Sequence, residues 1–450
     1  MNIIYIHTHD SGRILSPYGY NTKNDALLNF AQDSLLFREA YAASPTCSPS
    51  RSALLTGMYP HSNGMLGLAQ RGFSIYDYSK HLVQFLKGNN YHTVLCGIQH
   101  EAGSYLDHKN GVNVIGYDED ISADNTGLKE EQLHNWDYNN SLNAAEWISN
   151  YNSDKPFFMS FGFFATHRKF PINNENGENP NYVKPPMPIV DNEYTRRDHA
   201  RYLDSAKYFD KAFDNIIKAI KKAGIYDKSI IIFTTDHGIA FPFAKCNLKD
   251  SGIAVSFIMR VPNSKLNGEV YDNLISHIDV FPTLCDLIGL KKPDYLQGIS
   301  FAEVFNSKDT EIRKEIFSEI NFHTSYEPVR SIRTKRYKYI KYYDESYLNI
   351  NLSNIDNSES KDYYINNDLK TIEKPKEALY DLLYDIGETN NLINDNKYSD
   401  ILKEIRDSLD KIMKETDDPL LNGNIQIDKK WKVNKVTCLN PSSNDPNDYL

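Results

Sequence analysis

The stretch Pro45-Thr46-Cys47-Ser48-Pro49-Ser50-Arg51-Ser52-Ala53-Leu54-Leu55-Thr56-Gly57 decides how the rest of the chain is read. It predicts a short helix: Ser48 is a capping residue, Pro49 suits a first turn, and Gly57 can end the helix. Cys47 then lies at the helix N-terminus, where unpaired backbone N–H groups and the helix dipole favour an anion. Arg51 follows one turn later on the same side. A cysteine and a guanidinium so placed make a pocket for a tetrahedral oxyanion. A lone buried cysteine is more often an inert core residue, so the reading rests on the whole pattern.

Outward from this helix, short apolar runs end in polar clusters. Residues 2–8 read as a buried parallel strand leading into His9-Asp10-Ser11-Gly12. Residues 91–96 lead into Gly97-Ile98-Gln99-His100, and residues 155–164 into Thr166-His167-Arg168. Residues 229–234 end in Thr235-Asp236-His237-Gly238. Helical periodicity runs over 25–37, 78–86, 141–151 and 193–223, the last with a stripe of Ala206, Phe209, Phe213, Ile216 and Ile220. The expected fold class is α/β, a mostly parallel mixed sheet with helices on both faces and ligands at the strand ends.

Residues 1–310 form this α/β domain in the expectation. Residues 311–424 read as a smaller α+β domain, with antiparallel strands over 330–343 and a helix near 398–413. Within it, 348–374 is rich in Asn and Asp and is expected to be a surface insertion; 425–450 reads as an irregular tail.

With 450 residues, 40% of them hydrophobic and 12% aromatic, the chain can bury a substantial core. A net charge of −10 argues against a nucleic-acid partner, although a local pocket can still be positive. Cys47, Cys96, Cys246, Cys285 and Cys438 show neither metal spacing nor a disulfide framework, which suits a reducing compartment. The first residues lack the basic start and long apolar core of a leader, and no run approaches a membrane span. A cytoplasmic location without a membrane partner is the expectation.

Four strand ends thus carry His9-Asp10, Gln99-His100, His167 and Asp236-His237. One such residue is usually a cap or turn; four on one sheet edge beside the Cys47 helix point to a site. Two Asp/His pairs on separate strands suit a divalent metal. Carboxylates alone would favour Ca²⁺ or Mg²⁺, whereas two imidazoles shift the preference toward Mn²⁺.

The Cys-x-Pro-x-Arg pattern with its Leu-Leu-Thr-Gly continuation resembles the signature of type I sulfatases of the alkaline phosphatase superfamily. The resemblance implies that Cys47 is converted to formylglycine by a maturation enzyme and supplies the nucleophile. It implies a metal, most often Ca²⁺, held by Asp10, Asp236, His237 and the residue made from Cys47, with His9 where the family usually has Asp. If His9 turned outward, Asp10 would be the sole ligand from that strand. Arg51 would hold the nucleophile and a metal ligand, and His100 and His167 would assist leaving-group departure. Lys245 would contact sulfate.

Ile98 stands where most sulfatases carry a sulfate-binding lysine, and Gln99 is a candidate neutral donor in its place. Ser48-Pro49-Ser50-Arg51, Tyr59-Pro60-His61-Ser62-Asn63-Gly64-Met65 and Asp236-His237-Gly238-Ile239-Ala240-Phe241-Pro242 resemble the sulfamidases, the heparan N-sulfatases. Leu379-Tyr380-Asp381-Leu382 and Gly387-Glu388-Thr389-Asn390-Asn391-Leu392 resemble the usual end of a sulfatase. Glu319, Asn321 and His323 are placed as substrate contacts from the second domain. The implied reaction is hydrolysis of a sulfate ester or sulfamate on a sulfated saccharide, such as a glycosaminoglycan. Two alternatives stand beside it: a phosphonate monoester hydrolase or phosphodiesterase of the same superfamily, and a non-catalytic glycan- or anion-binding relative.

Overall fold

The computed structural model describes residues 1–103, 108–171 and 177–450, without the side chains of 108–110. Its strands in chain order are β1 Asn2–Thr8, β2 Leu35–Phe37, β3 Ala40–Tyr41, β4 His92–Gly97, β5 Glu119–Asp120, β6 Phe157–Gly162 and β7 Ser229–Thr235. After them come β8 Phe257–Arg260, β9 Val270–Tyr271, β10 Ile275–Ser276, β11 Glu315–Phe322, β12 Tyr326–Thr334, β13 Tyr337–Tyr342 and β14 Glu377–Asp381.

Eight of them form one sheet in the order β5-β4-β6-β1-β7-β8-β2-β9, parallel except where β8 pairs with β7 and β2. The continuous apolar runs of β1, β6 and β7 are explained by burial on both faces. One face packs Phe209, Phe213, Ile216 and Ile220 of the Glu193–Lys222 helix, and the other packs Leu54 and Leu55 of the Cys47–Thr56 helix. Register sets the functional edge: His7 lies level with Gly162 and Thr234, and Gly162 with Gly97. Four strands therefore finish together, and their next residues meet. Gly162 has no alternative here, because a Cβ would stand 2.1 Å from the Ile98 carbonyl oxygen.

The antiparallel sheet β11-β12-β13-β14 carries the Ser399–Glu415 helix through Ile405, Leu409 and Met413. Among the described residues no helix is long and apolar enough to cross a membrane.

Three expectations are corrected. The helix expected over 25–37 ends at Ala31, and Leu35–Phe37 is a strand between β8 and β9; three consecutive apolar residues satisfy either period. The helix expected from 141 begins at Leu133, its inner face including the buried polar residues Asp137 and Asn140, which mask the 3.6-residue pattern. The segment 348–374 is not a surface insertion: Leu352, Ser353, Asn354, Ser360 and Lys361 are buried, and the Glu359–Asn366 helix lies within it. The buried amides of Asn351 and Asn354 bond to Ser325 and Glu327, a distinction that composition does not carry. Residues 425–450 pack onto the rest of the chain, with Trp431 stacked on Phe73 at 4.4 Å.

Candidate active site

The helix starts two residues earlier than its capping pattern suggests. Cys47 is its first residue and Thr46 the N-cap, while Ser48 accepts the Ala69 N–H at 3.0 Å and so fixes the following loop. Gly57 ends the helix at φ +64°, as a C-terminal glycine should. Cys47 is buried, and burial pushes its thiol well above the usual range, only partly offset by Lys245. The unmodified thiol is thus not an activated thiolate nucleophile.

Arg51, one turn on, is wholly enclosed. Its Nε and Nη2 donate to Asp236 Oδ2 at 3.2 and 3.0 Å, Nη2 also to the Thr8 carbonyl at 2.9 Å, and Nη1 to His7 Nδ1. His7 was missed by sequence reasoning. A histidine inside an otherwise apolar buried strand needs a polar partner, and that was the available signal.

Asp236 is held from two strand ends, its Oδ1 accepting the N–H groups of Asp10 at 2.8 Å and His237 at 2.9 Å. Burial raises its pKa, but His237, Arg51 and His9 outweigh it, leaving the carboxyl well below its ordinary range. Asp10 takes φ +45°, a backbone conformation that costs free energy in a residue with a side chain and that turns its carboxylate inward. Its Oδ2 meets Lys245 Nζ at 3.1 Å. Burial is again opposed, here by Lys245 and then His237, so Asp10 also stays ionised. Lys245 is carried on a loop whose next N–H, that of Cys246, bonds the Pro45 carbonyl at 3.0 Å.

His237 Nδ1 lies 2.9 Å from the Gly238 carbonyl, which can only accept, so Nδ1 carries the proton. Nε2 therefore presents a lone pair, 3.3 Å from Cys47 Sγ and 3.2 Å from Asp10 Oδ1. Two acceptors facing each other in a buried site call for a cation between them. Among the described residues Asp10 Oδ1 has no hydrogen-bond partner, and ligand atoms of His9, Asp10, Cys47 and Asp236 all lie within 4.8 Å of one another. These residues fit a divalent metal. His9 faces inward, its Nδ1 3.1 Å from Asp236 Oδ2, so the outward alternative does not hold.

His100 and His167 close the site, their rings 5.7 and 5.0 Å from that of His9. His100 Nε2 is fixed by Gln70 Oε1 at 2.7 Å. The loop carrying His167 hangs on Asp137, which accepts the N–H groups of Phe164 and Ala165 at 2.8 Å each. Burial holds both imidazoles neutral, that of His167 down to about 4. His323 is buried close enough for Lys245, after burial itself, to press its pKa down. Glu319 and Asn321 instead belong to a separate cluster around Arg330.

Gln99 does not fill the expected role. Its Oε1 accepts the N–H groups of Glu101 and Ala102 at 3.0 and 2.9 Å, and its Nε2 donates to the Ala102 carbonyl at 2.7 Å. The amide is turned into its own loop because two backbone donors there need an acceptor. Ile98 packs with Leu133, Trp136 and Phe164, so its position is structural. Sequence reasoning also missed Asp356, whose Oδ2 lies 3.0 Å from Lys245 Nζ. Nothing in an Asn/Asp-rich stretch singled it out.

Residues 1–290 match the Sulfatase family model, and residues 236–378 match the model of the N-sulphoglucosamine sulphohydrolase C-terminal region. The chain belongs to the sulfatase family. As a sulfatase it is a sulfuric ester hydrolase, of a family that uses a metal and a formylglycine. An ulvan-active sulfatase of Formosa agariphila is 26% identical, the alignment covering 99% of this chain and 80% of that protein. The N-sulphoglucosamine sulphohydrolase of Homo sapiens is 25% identical over 86% of this chain and 85% of its own. Among solved structures, a 2-O GAG sulfatase superposes with a TM-score of 0.73 at 22% identity, covering 99% of this chain and 98% of that one. A protein solved in complex with its substrate D-glucosamine-2-N,6-O-disulfate gives 0.69 at 18% identity, covering 93% of this chain and 98% of that one. At these identities the two solved structures establish the shared alkaline phosphatase-like fold.

Proposed function

We propose that this sulfatase removes a sulfate ester or N-sulfate from a sulfated saccharide of glycosaminoglycan type, using a formylglycine made from Cys47. The carrying observation is the meeting of the His237 Nε2 lone pair, Asp10 Oδ1 and Cys47 Sγ within 3.3 Å of the imidazole nitrogen. Asp10, Asp236, His237 and His9 would hold the metal, Ca²⁺ by family and Mn²⁺ or Mg²⁺ by the mixed donor set. When bound, the ion supplies charge neutralisation and Lewis acidity, and the formylglycine hydrate supplies the attacking hydroxyl.

The chain's own residues do the rest. Arg51 locks Asp236 and the turn of helix that presents residue 47, so the nucleophile's position is fixed before substrate arrives. Lys245 offers the cation for sulfuryl oxygens, in a water-poor pocket where one charge counts for more than in solution. His100 and His167, both neutral, can accept the nucleophile's proton and pass it to the departing oxygen or nitrogen.

The test uses protein from a host that carries out the maturation. Sulfate release from glucosamine N-sulfate and 4-nitrophenyl sulfate and 4-nitrophenol release from bis(4-nitrophenyl) phosphate are followed in parallel, and the mass of the Cys47 peptide is measured. A peptide lighter than the thiol form and faster turnover of a sulfate or sulfamate are expected. An unmodified thiol, or a preference for the phosphodiester, would overturn the reading.

A further inference from the structure

Lys245 is shared by two carboxylates from different parts of the chain. Its Nζ lies 3.1 Å from Asp10 Oδ2, on the metal side, and 3.0 Å from Asp356 Oδ2, on the segment folded over the site. Asp356 is built in. Two residues before it, Asn354 Oδ1 accepts the N–H groups of Thr324 and Ser325 at 3.0 and 3.1 Å. On either side, Lys361 Nζ donates to the Ile355 carbonyl at 2.8 Å and to Asn357 Oδ1 at 3.1 Å. Ser360 Oγ then ties the helix to Asp198 Oδ2 at 2.6 Å. The carboxylate is 20% exposed and faces Asp10, His167 and His323 besides Lys245.

On the reading given above, Lys245 holds the reacting anion, and Asp356 then stands beside that anion as a fixed negative charge. Coulomb repulsion is proportional to the anion's charge, so a dianion is penalised twice as strongly as a monoanion. We propose that Asp356 is a specificity-determining residue: it matches the site to singly charged sulfuryl groups and rejects doubly charged anions, among them phosphate monoesters and the product sulfate. Sulfate esters and sulfamates carry one negative charge, and free sulfate carries two. The same residue would therefore select substrate and speed product release.

Calorimetric titration of the calcium-loaded protein tests this without turnover, using inorganic sulfate as the dianion and methanesulfonate as the monoanion. Asp356→Asn is expected to tighten sulfate binding by about tenfold or more and methanesulfonate by no more than about threefold. Asp356→Glu, which keeps the charge, should stay within about threefold of wild type for both. Equal tightening of the two anions, weakening of both, or no change would overturn the proposal. Should the asparagine variant not fold, wild type alone decides: methanesulfonate must bind at least as tightly as sulfate near neutral pH. Failure of the parent reading has a different signature, absence of sulfate release from every ester, which these titrations do not measure.

Discussion

Among the described residues two clusters of buried acids and histidines can be compared, and their difference separates the candidate site from a structural clamp. Both His9, Asp10, Cys47 and Asp236 and the group His61, Glu319 and Asp418 bring ligand atoms within 4.8 Å. In the second cluster every carboxylate oxygen is taken. Arg330 donates to both oxygens of Asp418 at 2.6 and 2.9 Å, His61 gives Glu319 Oε1 its N–H at 2.9 Å, and Asn321 meets Oε2 at 3.2 Å. In the first cluster Asp10 Oδ1 faces another acceptor. Burial and proximity are common to both, so neither identifies a site. Hydrogen-bond accounting of the carboxylates does: the clamp satisfies its carboxylate oxygens internally, whereas the site leaves one facing an acceptor.

Substitutions can break this contrast. The largest effect is expected at Cys47, where Cys47→Ala should lower sulfate release by roughly 10⁴-fold or more, since the nucleophile is lost and binding groups remain. Calorimetry should still show the variant binding Ca²⁺ or Mn²⁺. Turnover near wild type would remove Cys47 from the mechanism.

In the clamp, Arg330→Leu leaves two buried carboxylates without their cation and should cost about 3–5 kcal/mol in urea unfolding. A neutral result would mean that the clamp is not held as described.

Acid should weaken the clamp through Glu319. Burial raises the Glu319 pKa, but His61 and Arg330 outweigh it and bring the group from 4.5 to about 2. A carboxyl depressed on folding contributes stability that is present above its unfolded value and lost as pH falls through the folded one. The loss thus falls between pH 4.5 and about 2 and amounts to at most about 3 kcal/mol. Unfolding curves of Glu319→Gln across that interval should be flatter than those of wild type.

The smallest effect sharpens the comparison most. Metal at a hundred times its Kd should stabilise wild type by about 2.7 kcal/mol, and chelation should reverse it. Asp10→Asn should lose this thermal shift and His61→Ala should keep it. The opposite pattern would exchange the roles of the two clusters.

Much of the site was legible because strand ends advertise themselves. His9-Asp10, His100, His167 and Asp236-His237 each follow an apolar run, and parallel pairing in register leaves them nowhere to go but one edge. Gln99 misled because an amide one residue from the His100 imidazole looks available until its loop claims it. His7 was hidden within its strand. Asp356 lay in a segment whose polar composition reads the same whether water or protein meets its hydrogen bonds.

By itself the sequence determined the α/β sheet, the helix that presents Cys47, and the set of acids and imidazoles at the strand ends, because these depend on periodicity and local spacing. Only the tertiary structure decided which acceptor each cation serves: Arg51 to Asp236 and His7, Lys245 to Asp10 and Asp356, Arg330 to Glu319 and Asp418. Those pairings join residues up to 235 positions apart, and charge interaction depends on distance in space, which residue order along the chain leaves open.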